Sequence, residues 1–252
     1  MDFINVLNAP MPVLENLARS ALAKNGAAFG GPLYVSHEPY YSTAYFLLAT
    51  DGIVAAATQQ KVFSAKIGDT NQQGSNWAFT TADTNNTIGS QFPEGQCFIC
   101  TAIGIDVALY SSAGVRNPAA ATSQMVLNPN DMLQIQTAVS YTFSEEGDRS
   151  RILGMVADFP SGTGVAGSGT AAGATAAAGT VINAYGLSQN GGPLTPVQKL
   201  AVPMILQPLR NYQHTLTFER GINSVTSTSG GDIAASYLGL RVQLFGLRYN
   251  AP

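Results

Sequence analysis

Beyond residue 33, apolar and polar side chains alternate with a period of two along most of the chain, the mark of half-buried strands. Ile99, Ile103, Ile105, Val107 and Leu109 share one predicted strand face. Leu133, Ile135, Val139, Tyr141 and Phe143 alternate with Gln134, Gln136, Ser140 and Thr142, which predicts a strand over 131–143. Tyr212, His214, Leu216 and Phe218 alternate with Gln213, Thr215, Thr217 and Glu219. Leu238, Leu240, Val242 and Leu244 form a further face, and the apolar phase then shifts to Phe245, Leu247 and Tyr249 around Gly246, as a β-bulge would cause. Shorter candidates lie at 34–36, 43–49, 53–57, 62–67, 77–80, 125–127, 152–158, 181–185 and 202–206. Roughly thirteen strands separated by turn clusters, without alternating helices, predict an all-β antiparallel sandwich or barrel.

One segment breaks the pattern. Val13, Leu14, Leu17, Ala18, Ala21 and Leu22 recur at helical spacing, opposite Glu15, Asn16, Arg19 and Ser20. Pro12 suits the first turn and Gly26 the stop, so a helix is predicted over 12–24. It reads first as a helix docked on its own domain. The alternative is an arm, led by Phe3, Ile4, Val6 and Leu7, that reaches a neighbour or a lipid surface and is dispensable for folding. Residues 161–180 are Gly, Ala, Ser or Thr except Val165, and read as a long surface loop.

Composition narrows the function. At 252 residues the chain holds one large β domain or two small ones, and 45% hydrophobic content is enough for a core. Only 11% of residues are charged, against about 25% in an ordinary soluble domain. The outward strand positions are Gln, Thr and Ser rather than Lys and Glu. Such surfaces suit burial against copies of the same chain, where desolvating a charge is costly. The net charge is −3 and the 12 basic residues are scattered, which argues against packaging nucleic acid by charge neutralisation and against sequence-specific nucleic-acid binding. No apolar run reaches membrane-spanning length. The start, Met1-Asp2-Phe3, lacks the basic region of a secretory signal.

Candidate chemistry is sparse, and no catalytic, cofactor-binding or metal-binding residue is assigned. Gly162-Thr163-Gly164-Val165-Ala166-Gly167 spells a dinucleotide-loop pattern, but no acidic residue follows before Glu219, and a Gly-rich tract produces the match by chance. Cys97 and Cys100 lie three apart on a predicted strand, hence on opposite faces, and read as inert buried thiols rather than a zinc or redox pair. With two cysteines, a disulfide-stapled secreted domain is excluded. His214 shares a strand face with Leu216 and Phe218 and reads as a core or interface histidine; His37 has no partner in the pattern. No nucleophile elbow is present, so the chain reads as a non-enzyme. Glu145-Glu146-Gly147-Asp148 reads as a solvated turn and Asp83-Thr84-Asn85-Asn86 as a side-chain-capped one.

Two stretches carry a resemblance. One is Ala82-Asp83-Thr84-Asn85-Asn86, with Gly89-Ser90-Gln91-Phe92-Pro93-Glu94-Gly95-Gln96-Cys97-Phe98 running into Thr101-Ala102-Ile103-Gly104-Ile105. The other is Ala201-Val202-Pro203-Met204-Ile205-Leu206-Gln207-Pro208, followed by 212–218 and the closing strand 238–249. Over residues 60–252 this pattern resembles the jelly-roll major capsid proteins of tailless icosahedral bacteriophages, especially the compact double-jelly-roll type. The resemblance implies a double jelly roll with a short N-terminal helix, divided into an arm and helix at 1–30, a first roll at 31–146 and a second at 147–252. A single jelly roll with extensions is the alternative. It further implies a virion protein, made in the host cytoplasm, that forms homotrimeric, pseudo-hexameric capsomers of an icosahedral shell. That shell surrounds an internal membrane, with the N-terminal arm touching the membrane or a minor capsid protein. A carbohydrate- or receptor-binding β-sandwich of a spike or fibre is the competing function, for which Tyr40, Tyr41 and Trp77 are candidate contacts. Neither reading requires a cofactor.

Overall fold

The computed structural model describes residues 11–23, 32–48, 53–70, 72–116, 127, 129–146, 151–161, 167–169, 185–187, 197–222 and 237–251. Its strands are β1 (Tyr34–Ser36), β2 (Tyr40–Leu47), β3 (Gln59–Val62), β4 (Gln96–Tyr110), β5 (Val139–Glu145), β6 (Arg151–Met155), β7 (Gly167–Gly169), β8 (Tyr185–Leu187), β9 (Gln198–Leu206), β10 (Tyr212–Phe218) and β11 (Tyr237–Asn250). The helices are α1 (Met11–Ala23) and α2 (Pro129–Ala138). The fold is mostly β, and every strand pair is antiparallel.

Two sheets face each other. One runs β1-β11-β4-β9 with β2 also paired to β11; the other runs β3-β10-β5-β6. Counting β2, β3, β4, β5, β6, β9, β10 and β11 as strands one to eight, the orders are 1-8-3-6 and 2-7-4-5. Neither sheet breaks at residue 146, the boundary expected between two rolls. Strands from both sides of residue 146 pair within each sheet, β11 with β2 and β4, and β10 with β3 and β5. The described strands therefore form one sandwich rather than two. The surplus strand candidates explain the overcount: 53–57 and 77–80 contribute only single bridges, Val54 to Ile222 and Ala78 to Thr70. Of 62–67, only Val62 belongs to a strand. Most of 125–127 and 181–185, and most of 161–180, lie outside the described residues. Gly167–Gly169 of that last stretch pairs with Tyr185–Leu187.

The core is the space between the sheets. Phe98, Cys100, Ile103, Ile105, Val107 and Leu109 of β4 and Leu238, Leu240, Val242 and Leu244 of β11 face Val139, Tyr141, Leu216 and Phe218 from the second sheet. Aromatic pairs lock the layers: Phe46 meets Phe218 edge-on at 4.9 Å, and Tyr40 stacks on Phe63 at 4.7 Å. The predicted bulge is present, with the β11–β4 register shifting between Phe245 and Gly246. A Cβ at Gly246 would stand 1.9 Å from the Ile99 carbonyl oxygen, so glycine is needed for this close approach. Past the bulge, Leu247 and Tyr249 turn to the outer face, where α1 covers them.

The predicted strand over 131–143 is half wrong. Residues up to Ala138 form α2, and only Val139 onward is β. Pro129 stands at the first helical position and Asp131 in the first turn, both good starts for a helix. The true inward set is Met132, Ile135 and Ala138, at helical spacing, whereas Leu133 is 60% exposed. Leu133 and Ile135 match a period of two only by coincidence.

Candidate assembly surfaces

The four-stranded sheet has a polar outer face on which Lys61 is the charged residue among mostly Gln, Thr and Ser positions. On β10, Gln213 and Thr217 point away from the core while His214, Leu216 and Phe218 point into it, so the period of two sets both faces. Gln59 and Lys61 of β3 and Thr142 and Ser144 of β5 lie beside them. Two open grooves cross this region. One of about 360 Å³ is lined largely by Gln59, Gln60, Gln72, Gln73 and Gln213; the other, about 400 Å³, lies by Ser64, Ser90, Ser144 and Asn211. Lys61 lines both grooves and Glu145 and Glu146 line the second, so charges stand beside these amides and hydroxyls.

Three of the exposed large apolar side chains among the described residues lie on edge strands. Tyr34 (65%) and Val35 lie on β1, at one edge of the five-stranded sheet, and Val202 (67%) lies on β9 at the other. Pro203 beside Val202 suits an edge, where a missing N–H costs no ladder bond. Such edges are ready to pair or pack with another chain.

The outer face of the five-stranded sheet is covered at both ends. At one end α1 lays Leu14, Ala18, Ala21 and Leu22 on Cys97, Ile99 and Tyr249. The helix is thus docked on its own domain, and its apolar stripe is used there. Residues 1–10 lie outside the described residues. At the other end Trp77, Phe79 and Ala65 cover Tyr45, Ala108, Tyr110 and Tyr237. This cover is tied down by the 83–86 turn. The Asp83 carboxylate accepts hydrogen bonds from Thr80 N (2.8 Å), Thr80 Oγ1 (2.9 Å) and the Tyr45 hydroxyl, and Asn86 Nδ2 donates to the Phe63 and Ala65 carbonyls. Burial first, then its neighbours Tyr110 and Asp83, keeps the Tyr45 phenol protonated far above its ordinary range.

The sequence candidates fall as follows. Cys97 faces α1 and Cys100 faces the core; both are free thiols. Burial pushes the Cys97 thiol up to about 12 and raises Cys100 as well, the wrong direction for a reactive thiolate. His214 is fully buried, with Nδ1 and the Tyr141 hydroxyl sharing a 2.5 Å hydrogen bond; burial lowers its pKa to about 3. His37 is exposed directly after β1, and nothing described brings the two histidines together. Glu145 pairs with Arg210 at 3.7 Å and Glu146 accepts from Asn211; Gly147 and Asp148 lie outside the described residues, as does all of the 162–167 glycine pattern except Gly167. Among the described residues no three His, Cys, Asp or Glu side chains gather as metal ligands. Tyr40 is buried, its hydroxyl 2.5 Å from that of Tyr212, so it is no surface contact; Tyr41 and Trp77 are half-buried.

Sequence reasoning missed one polar strip between the two covered ends. Asp106 of β4 stands opposite Arg241 of β11, and Arg116 reaches the Asp106 carboxylate at 2.6 Å. Strand parity puts Asp106 and Arg241 outward, but only the β4–β11 register makes them neighbours. No family model, no curated protein and no solved structure matches this chain.

Proposed function

We propose that the chain is a viral capsid protein, built as a single jelly roll, that tiles an icosahedral shell as part of the virion. The observation that carries this is the strand order 1-8-3-6 facing 2-7-4-5, the double-sheet connectivity of jelly rolls, which serves in viral shells and in lectins. The charge-poor polar face of the four-stranded sheet and the apolar side chains on both edges of the other support packing against like copies. One roll per chain alters the capsomer. A six-fold outline made from single rolls takes six chains, whereas the trimeric, pseudo-hexameric capsomer needs two rolls in each. Contact with an internal membrane or a minor capsid protein falls to residues 1–10 in this reading, because α1 is occupied by its own sheet.

Native mass spectrometry and electron microscopy of the purified chain test this. The expected result is closed, shell-like particles or discrete ring oligomers. A monomer at every concentration, with no particles, overturns the reading. The second reading, a carbohydrate- or receptor-binding sandwich, is favoured by the same connectivity; a monomer that retains specific glycans on an array would support it.

A further inference from the structure

A cavity of about 360 Å³ opens on the outer face of the five-stranded sheet, walled by Trp77, Thr80, Tyr110, Gly114, Arg116 and Arg241. Its walls are fixed. Trp77 packs edge-on against Tyr45 (centroids 4.6 Å apart) and Tyr237 (5.2 Å). The turn after β4 lies on the indole because Gly114 has no side chain: a Cβ there would stand 2.7 Å from Trp77 Cε2, and the residue adopts φ +76°. Arg241 lies flat over the Tyr41 ring, with its guanidinium carbon 3.9 Å from the centroid.

The charges around the cavity are unequally used. Both oxygens of Asp83 already accept hydrogen bonds, from Thr80 and Tyr45. Asp106 holds Arg116 through Oδ2, and its Oδ1 is buried without a hydrogen-bond partner among the described residues. Arg241 differs: its one hydrogen bond is a 3.5 Å contact to the Ala82 carbonyl, its Nε is buried without a partner, and it joins no ion pair among the described residues. The cavity therefore offers unused guanidinium donors beside an indole, with the Asp83 carboxylate occupied and Asp106 engaged through one of its two oxygens.

We propose that this cavity is a binding site for a single acidic sugar, a carboxylate carried on a compact pyranose ring. The planar fork of Arg241 matches a carboxylate in two-point contact, and stacking on Tyr41 pre-orients it. Trp77 and Tyr110 supply the apolar wall for the ring's C–H face, and the Thr80 hydroxyl, which already donates to Asp83 and accepts from the Ala82 N–H, keeps one lone pair to accept from a sugar hydroxyl. The volume lies at the small end of ligand pockets, in keeping with one ring rather than a chain. This site is independent of shell formation.

Trp77 is the chain's single tryptophan, so its fluorescence reports this cavity directly. The purified protein is titrated with glucuronate, glucose and acetate. A saturable fluorescence change with glucuronate, at least about tenfold tighter than with either control, is expected, since a charge-assisted hydrogen bond is worth one to two powers of ten. Arg241→Gln is expected to weaken glucuronate by a similar factor, with glucose unchanged. No saturable response to glucuronate, or equal responses to glucose or acetate, overturns the proposal. So does an Arg241→Gln variant that titrates like the parent. Should that variant fail to fold, the three-ligand comparison on the parent protein decides alone.

Discussion

His214 sits among Phe63, Tyr141, Phe143 and Tyr212, with Nε2 buried and without a hydrogen-bond partner. Burial lowers its folded-state pKa from the ordinary 6.5 to about 3. Between these values the unfolded chain binds a proton that the folded chain refuses. Stability is therefore expected to fall as pH drops from about 6.5 towards 3, by up to about 1.4 kcal/mol per pH unit, and this contribution levels off below that window. Denaturant titrations across this range check the slope. Replacing His214 and Tyr141 together by Phe removes the titrating group and its hydroxyl partner, and should flatten the acid limb; an unchanged slope would assign it to the carboxylates. Asp83 makes a second residue-scale prediction. Asp83→Ala strands the buried Tyr45 hydroxyl and unties Thr80, and should cost about 1–3 kcal/mol, read as a lowered denaturation midpoint with unchanged m-value. The capped turn at 83–86 was legible in the sequence, because Asp and Asn bond their own backbone locally; its partnership with Tyr45 was not, because that contact spans β2 and a distant loop.

At the scale of elements, α1 decides between two opposite expectations. An arm that reaches neighbours is dispensable for the fold; a helix covering Cys97, Ile99 and Tyr249 is not. Removing residues 1–24 exposes that patch and should lower Tm by several degrees and promote aggregation, since several buried apolar side chains are worth about 1.5–3 kcal/mol each. A truncated chain with the parent's Tm would restore the arm reading. Gly246→Ala tests the β4–β11 seam: the added methyl meets the Ile99 carbonyl, so the bulge must move, and a loss of about 2 kcal/mol or more in chemical denaturation is expected. The bulge was readable because an apolar phase shift around a glycine is a local signal. The helix α2 was misread because Leu133 and Ile135 continue the period of two of the strand that follows, although only Ile135 belongs to the buried helical face with Met132 and Ala138.

For the whole molecule, the proposed assembly is tested at the sheet edges. The apolar edge residues Tyr34 and Val202 lie on opposite edges of one sheet, so contacts through them propagate laterally rather than close a pair on one face. Val202→Glu and Tyr34→Glu should each abolish large particles while leaving the thermal melt unchanged, because both side chains are already solvent-exposed in the isolated chain. Sedimentation velocity beside a melting curve checks both halves of that statement; particles that survive both substitutions would move the lateral contact elsewhere.

The sequence by itself determined the strand-rich, antiparallel character, the inward and outward faces of β10 and β11, the N-terminal helix, the bulge at Gly246 and the burial of Cys97, Cys100 and His214. Each is written within a few residues, as a period, a turn or a phase change. On β4 the same period misplaced Ile99, which lies under α1 rather than on the core face of Ile103, Ile105, Val107 and Leu109. The number of sandwiches, the docking of α1, the α2 helix and the meeting of Arg241 with Asp106 and Trp77 were decided only in three dimensions. Sheet order and register join strands far apart in the chain, and a period of two says which face a side chain takes but never which strand lies beside it.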